Sequence, residues 1–219
     1  MWAAVPLKSP DEAKSRLQDC LDAASRRRLF LAMARHTIRT LVQTPGVAGV
    51  AAVTASSEVA ALAGRHGAMV LMESGDRGTA CACRTAVEQL ADRANSLLLI
   101  SGDLPLLSAD ALAGLVALRD RSPLVAVVPD RHGRGTNALL CAPPGVIPIL
   151  FGPNSCERHL AAAREARIAL QVIASPSLAL DIDDAEDLEE LRRRVRAEPG
   201  ILNNELGDAL LVADEVPAQ

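Results

Sequence analysis

Residues 97–101 read Leu-Leu-Leu-Ile-Ser and run straight into Gly102-Asp103-Leu104-Pro105. An apolar run with no alternating polar position cannot turn one face to water. It predicts a central strand covered on both faces, which is the habit of parallel sheets with helices packed above and below. The rest of the chain keeps the same rhythm. Apolar runs at 2–6, 47–53, 68–72, 124–128, 137–141 and 169–173 alternate with helix-period segments at 57–65, 79–93, 108–119, 155–167 and 184–195. A longer helix, capped by Asp22, runs through Leu29, Met33 and Ile38 and stops at Pro45-Gly46. Such alternation implies right-handed crossovers and one three-layer α/β/α domain with a mostly parallel sheet. With 219 residues in all, a single core over 1–197 is expected. Residues 198–219, opening with Glu198-Pro199-Gly200, fall outside the rhythm and are left either to pack as a short extension or to stay mobile.

Composition removes several classes of function. A net charge of -4 gives no general attraction to nucleic acid or to an anionic membrane, and 1% aromatic residues leave no stacking platform for single strands. The arginine clusters at 26–28 and 192–194 lie in helical segments and read as solvated faces. No apolar stretch approaches the ~18 residues of a membrane span, and the start of the chain lacks a basic region followed by a signal-type apolar segment, so a cytoplasmic location is expected. Cys20, Cys81, Cys83, Cys141 and Cys156 are odd in number and lack C-x-x-C spacing, which suggests unpaired structural thiols. Helix faces rich in Ala and Leu suit a homodimer as well as the core.

The chemistry gathers at the ends of apolar runs. Asp103 follows the central run, and Asp181 and Asp183 follow Leu178-Ala179-Leu180. The mouth of a parallel sheet is where α/β proteins bind ligands, and two acids spaced by two share one face of an extended strand. Paired carboxylates repel unless a cation lies between them, and their hard oxygens suit magnesium. The plainer alternative makes Asp103 a turn residue before Pro105 and Asp181–Asp184 the acidic first turn of a helix capped by Asp184. Two separate carboxylate sites favour function.

Lys8, Lys14 and Arg16 follow the first strand without a P-loop pattern and can neutralise a polyphosphate, Arg16 through its bidentate fork. Further on, Arg134-Gly135-Thr136-Asn137 and Phe151-Gly152-Pro153-Asn154-Ser155 form two glycine turns, the second at a helix start that can hold an anion. His159 would share a helical face with Ser155; alternatively Ser155 is only a cap and His159 a surface histidine.

Taken in order, VPLK, AKSRL, SGDLPLL, GTNALL, FGPNSCERH and DIDDAEDL resemble the 2-phospho-L-lactate guanylyltransferase family, which includes phosphoenolpyruvate guanylyltransferases. The resemblance implies a fold of the nucleotide-diphospho-sugar transferase type. It implies transfer of GMP from GTP to the phosphate of a three-carbon phospho-acid, with release of pyrophosphate, in the biosynthesis of coenzyme F-420. It would place magnesium on Asp103, Asp181 and Asp183, the triphosphate on Lys8, Lys14 and Arg16, the nucleotide on Gly78, and the acid on Thr136, Gly152 and Ser155, with Asp103, Lys14 and Arg16 as the catalytic set. One departure concerns the base. Where the family carries Gly-Leu-Asn, this chain has Gly78-Thr79-Ala80, so an amide expected to face the nucleotide is missing. Phe151 and Cys156 likewise stand where tyrosine and phenylalanine are common. The sequence leaves open a different base, such as cytosine, and a non-catalytic nucleotide-binding module. Among acceptors it leaves open phosphoenolpyruvate, 2-phospho-L-lactate and 3-phosphoglycerate.

Overall fold

In the computed structural model, residues 1–74 and 78–212 are described. Among them seven strands form one sheet: β1 (Trp2–Pro6), β2 (Gly49–Thr54), β3 (Met69–Met72), β4 (Leu97–Ile100), β5 (Leu124–Pro129), β6 (Thr136–Ala142) and β7 (Ala169–Val172). Their order is β3-β2-β1-β4-β6-β5-β7, parallel throughout except for β6, which runs against both neighbours. Eight helices accompany them: α1 (Ala23–Gln43), α2 (Ser57–Arg65), α3 (Thr79–Leu90), α4 (Ala109–Val116), α5 (Ser155–Glu165), α6 (Pro176–Ala179), α7 (Ala185–Ala197) and α8 (Asn204–Val212). The three-layer, mostly parallel architecture is the expected one.

β4 explains the architecture. All four of its residues are at most 1% exposed, Leu98 and Ile100 in the cluster under α1, α2 and α4, Leu97 and Leu99 in the cluster under α3 and α5. A strand buried on both sides needs a helix layer on each. A third cluster lies beside the sheet, where Leu17, Leu29 and Met33 meet Leu180, Ile182, Leu188 and Leu191. Helix α8 closes it with Leu206, Ala209 and Leu210, so this part of the C-terminal extension is packed against the domain. The five thiols are unpaired, and burial pushes the Cys141 thiol up to about 12, leaving it a core residue rather than a nucleophile.

The reversed strand comes from its turn. The Asp130 carboxylate accepts from the backbone N–H groups of His132, Arg134 and Gly135 at 2.8 to 3.1 Å, and Gly133 supplies a φ of 70°. That short loop folds β6 back as a hairpin, which carries Thr136 and Asn137 to the same sheet edge as the end of β4.

One local expectation is corrected. Asp181 and Asp183 do not follow a strand. Ser175 caps the short helix α6, with Pro176 in its first turn. Residues 180–183 are then extended outside the sheet, with Leu180 and Ile182 buried. The alternation still sends both acids away from the core, because an extended backbone has a period of two whether or not it joins a ladder.

Gly102 lets the site approach the first strand. A methyl group there would lie 2.3 Å from Leu7 Cδ2 and 3.2 Å from Val5 Cγ1, both in the buried core. Gly102→Ala is therefore expected to destabilise by about 1 to 3 kcal/mol through overpacking. By displacing Asp103 it should also slow any reaction that depends on it by more than tenfold. Denaturant unfolding and steady-state rates on the same preparation would check both. Among the described residues no helix is long and apolar enough to cross a membrane.

Candidate active site

The edge formed by the ends of β1 and β4 and the start of β6 opens into a cleft with two adjoining cavities of about 290 Å³ each. The first is lined by Lys8, Lys14, Arg16, Asp103, Asp181 and Asp183. The second is lined by Ser56, Ser57, Glu73, Gly78, Thr79 and Ala82, and the two share Leu7, Lys8 and Glu12 along their common wall. One half is thus dense in charge and the other is polar and nearly neutral.

Lys14 is the hub of the charged half. It holds a left-handed backbone, φ 59° and ψ 33°, just before a 3-10 turn at Ser15–Leu17. A lysine in that region is strained, and the conformation directs its side chain inward, where it is only 6% exposed. Its ammonium donates to Asp103 Oδ2 and, at 3.2 Å, to Asp183 Oδ1. The other oxygen of Asp103 accepts from the Ser101 hydroxyl at 2.8 Å. Burial would push the Asp103 carboxyl up, but Lys14 and the Ser101 hydroxyl outweigh it and hold the group below the usual carboxylate range. Burial likewise opposes the charge on Lys14, and the two aspartates overcome it and raise its pKa.

Among the described residues Asp181 has no such cation within ion-pair distance. Its Oδ1 accepts from Asn137 Nδ2 at 3.1 Å, an amide that also donates to the Leu178 and Ala179 carbonyls. Burial, then repulsion from Asp103 and Asp183, drives its carboxyl up to about 7. The segment bearing it is fixed at both ends. Ile182 N–H donates to the Asp103 carbonyl at 3.3 Å, and Asp187, itself buried and bonded to Arg131 Nε at 2.7 Å, accepts from the N–H groups of Asp183 and Asp184. Asp184 caps α7 in a capping box with Asp187, and Glu186 and Asp187 stand in its first turn, so the plainer reading of the acidic run holds from Asp184 onward but not for Asp181 and Asp183.

The three acids expected to gather do gather, yet the cation among them here is the Lys14 ammonium, which had been expected on a triphosphate. Among the described residues no three Asp, Glu, His or Cys side chains converge tightly enough to enclose a metal ion. The donor set nevertheless fits a hard divalent cation. Three carboxylates face one ammonium, and the raised pKa of Asp181 marks the negative charge left uncompensated.

The remaining expected residues fall into two places. Gly78 precedes α3 with a φ of 83° and lines the second cavity, and its carbonyl accepts the N–H groups of Cys81 and Ala82 in the first turn of that helix. Ala80 lies in the first turn of that helix. Thr136, Gly152 and Ser155 sit beyond the cavity linings, around the start of α5. Asn154, not Ser155, is the residue before that helix, and Ser155 is its first residue, 2% exposed. His159 is not on the surface. It is fully buried, 3.1 Å from Thr136 Oγ1 through Nδ1, and its Nε2 accepts the Leu150 N–H at 3.0 Å. Asn137, Ser101 and Asp187 had not been singled out. Each lies within four residues of a named aspartate or threonine in sequence, but only the fold shows which groups it holds.

Comparison with known proteins gives the family and the fold. The chain matches the model of the guanylyl transferase CofC-like family over residues 1–194. It is 37% identical to a phosphoenolpyruvate guanylyltransferase of Conexibacter woesei, covering 91% of this chain and 90% of the relative. It is 38% identical to one of Sphaerobacter thermophilus, covering 86% and 91%. Among solved structures it resembles a Desulfovibrio desulfuricans G20 protein described as a nucleotide-diphospho-sugar transferase, with a TM-score of 0.76, 14% identity and 98% of both chains covered. It also resembles a 4-diphosphocytidyl-2C-methyl-D-erythritol synthase, with a TM-score of 0.60, 11% identity, and 88% and 98% covered. At these identities the solved structures speak for the fold alone.

Proposed function

This chain belongs to the guanylyl transferase CofC-like family, and on that premise we propose that its cleft joins GMP from GTP to the phosphate of a three-carbon phospho-acid. Phosphoenolpyruvate is the first candidate acceptor, with 2-phospho-L-lactate and 3-phosphoglycerate beside it, and the product would serve coenzyme F-420 biosynthesis. An oxygen of the acceptor phosphate attacks the α-phosphorus, a new P–O bond forms, the bond to the β-phosphate oxygen breaks, and pyrophosphate leaves with the electron pair. The attacking oxygen is already anionic, so no strong general base is needed. What the protein must supply is alignment and relief of charge repulsion between two polyanions.

The observation that carries this reading is the convergence of Lys8, Lys14, Arg16, Asp103, Asp181 and Asp183 on one cavity. Lys8 and Arg16 are exposed at its rim and suit the leaving β- and γ-phosphates. Asp103, Asp181 and Asp183 would hold magnesium, which when bound supplies charge neutralisation at the phosphates. Lys14 holds Asp103 and Asp183 in position beneath. The polar cavity around Gly78 and Thr79 suits the nucleoside.

The test is pyrophosphate release from purified protein with magnesium, each of the four nucleoside triphosphates and each acid in turn, with mass spectrometry of the product. GTP with at least one acid is expected to give pyrophosphate and a GMP-linked acid. No release from any pair, while a family member works in parallel, would overturn the proposal. Ala80 at the first turn of α3 favours a second reading, a relaxed or altered base preference, because a lost buried hydrogen bond is worth about 1 to 3 kcal/mol. Faster release from CTP than from GTP would establish it.

A further inference from the structure

We propose that His159 is a positioning residue that forces the Thr136 hydroxyl to act as a hydrogen-bond donor toward an anionic group of the acceptor acid. The inference rests on the reaction proposed above and names how this chain grips its second substrate.

The ring's environment fixes its proton. Leu150 N–H can only donate, and it points at Nε2 from 3.0 Å, so that nitrogen carries no hydrogen. Full burial, followed by the nearby Arg158 charge, lowers the pKa of His159 to about 4 and keeps the ring neutral near pH 7. The single ring proton therefore sits on Nδ1, and Nδ1 faces Thr136 Oγ1 at 3.1 Å. Phe151 meets the imidazole edge to face, with ring centroids 5.1 Å apart at 71°, and holds its plane.

The consequence falls on the threonine. A hydroxyl has one proton and two acceptor lone pairs. With Nδ1–H occupying a lone pair, the Thr136 proton cannot point at the ring and must be offered elsewhere. Thr136 opens β6 beside Asn137, whose amide holds Asp181. A hydroxyl locked as a donor at this edge suits a phosphate or carboxylate oxygen, and suits poorly any ligand group that has itself to donate. The same helix face carries buried Ser155 one turn earlier, so a single rigid element connects the ring to the glycine turn at 152.

The test is a mutant cycle read as KM for the acid against KM for GTP. His159→Leu is expected to raise KM for the acid about tenfold and leave KM for GTP within about twofold. His159→Asn, whose amide nitrogen reaches the Nδ1 position, should stay near wild type. His159→Gln, whose nitrogen reaches only the Nε2 position, should behave like Leu and serves in its place if His159→Leu does not fold. In a Thr136→Val background neither Leu nor Gln should add a further rise. An equal added rise in that background, or KM for GTP climbing in step, would overturn the positioning role while the guanylyl-transfer reading stands. A wild type that turns over none of the acids would overturn that reading and this inference with it.

Discussion

Asp103→Asn is expected to lower turnover at saturating magnesium, GTP and acid by roughly a thousandfold. It should lower the melting temperature as well, since it breaks the buried Lys14 pair from one side, while the protein still folds. The side chain keeps its shape, so the Ser101 hydroxyl can still donate to one oxygen, and the Lys14 ammonium keeps Asp183. What disappears is one unit of negative charge at the centre of the cleft, on the residue that Lys14, Ser101 and the buried end of β4 all position. Several kcal/mol of electrostatic stabilisation then vanish from the reaction, and each 1.4 kcal/mol is about a factor of ten. Steady-state kinetics beside a thermal melt separates the outcomes. A folded variant with undiminished turnover would make Asp103 a structural turn residue.

The second large effect concerns Lys14. Lys14→Met leaves Asp103, 17% exposed, without its cation and relieves none of the repulsion that Asp181 feels from its neighbours. Breaking a buried pair from one side is worth about 3 to 5 kcal/mol, so in metal-free buffer the variant should melt roughly 10 °C below wild type. Magnesium should then reverse much of the loss. In the wild type a divalent cation competes with the ammonium for Asp103 and Asp183, whereas in the variant it meets three uncompensated carboxylates. Added magnesium should therefore raise the melting temperature of Lys14→Met by several degrees more than that of wild type. Equal shifts in the two proteins would show that the cation does not use these carboxylates.

How much of this could be read from the chain depends on the range of the interaction concerned. The run at 97–100 announced a doubly covered strand, since four successive buried apolar residues leave no other way to satisfy both faces. Asp22 and Asp184 were legible as caps because capping is a matter of three residues. The cleft residues Lys8, Lys14, Arg16 and Asp103 could be placed on one sheet edge from strand ends alone, and they line one cavity. The direction of β6 was not seen, because it is set by backbone donors converging on Asp130 within a loop of ordinary composition. Nor was the departure of 180–183 from the sheet, where the cap at Ser175 and Pro176 set one helical turn between β7 and the acids. The burial of His159 escaped as well. A histidine four residues into a polar helix looks solvated until Leu150 and Thr136, from two other segments, are brought against its nitrogens. The first two misses turn on caps and loop donors a few residues away, whose effect on chain direction composition does not show, and only the third depends on partners from other segments.

The hairpin that reverses β6 divides the cleft by chain direction. Lys8 and Asp103 leave the sheet where strands end, whereas Thr136 and Asn137 enter it where a strand begins. On the proposed reading, residues that would select the acid ride on the start of β6 and on α5, and residues that would meet the nucleotide ride on the β1 and β4 exits and the start of α3. If that division holds, changes at the β6 entry and α5 would retune the partner that receives the nucleotide without disturbing the side that activates the donor.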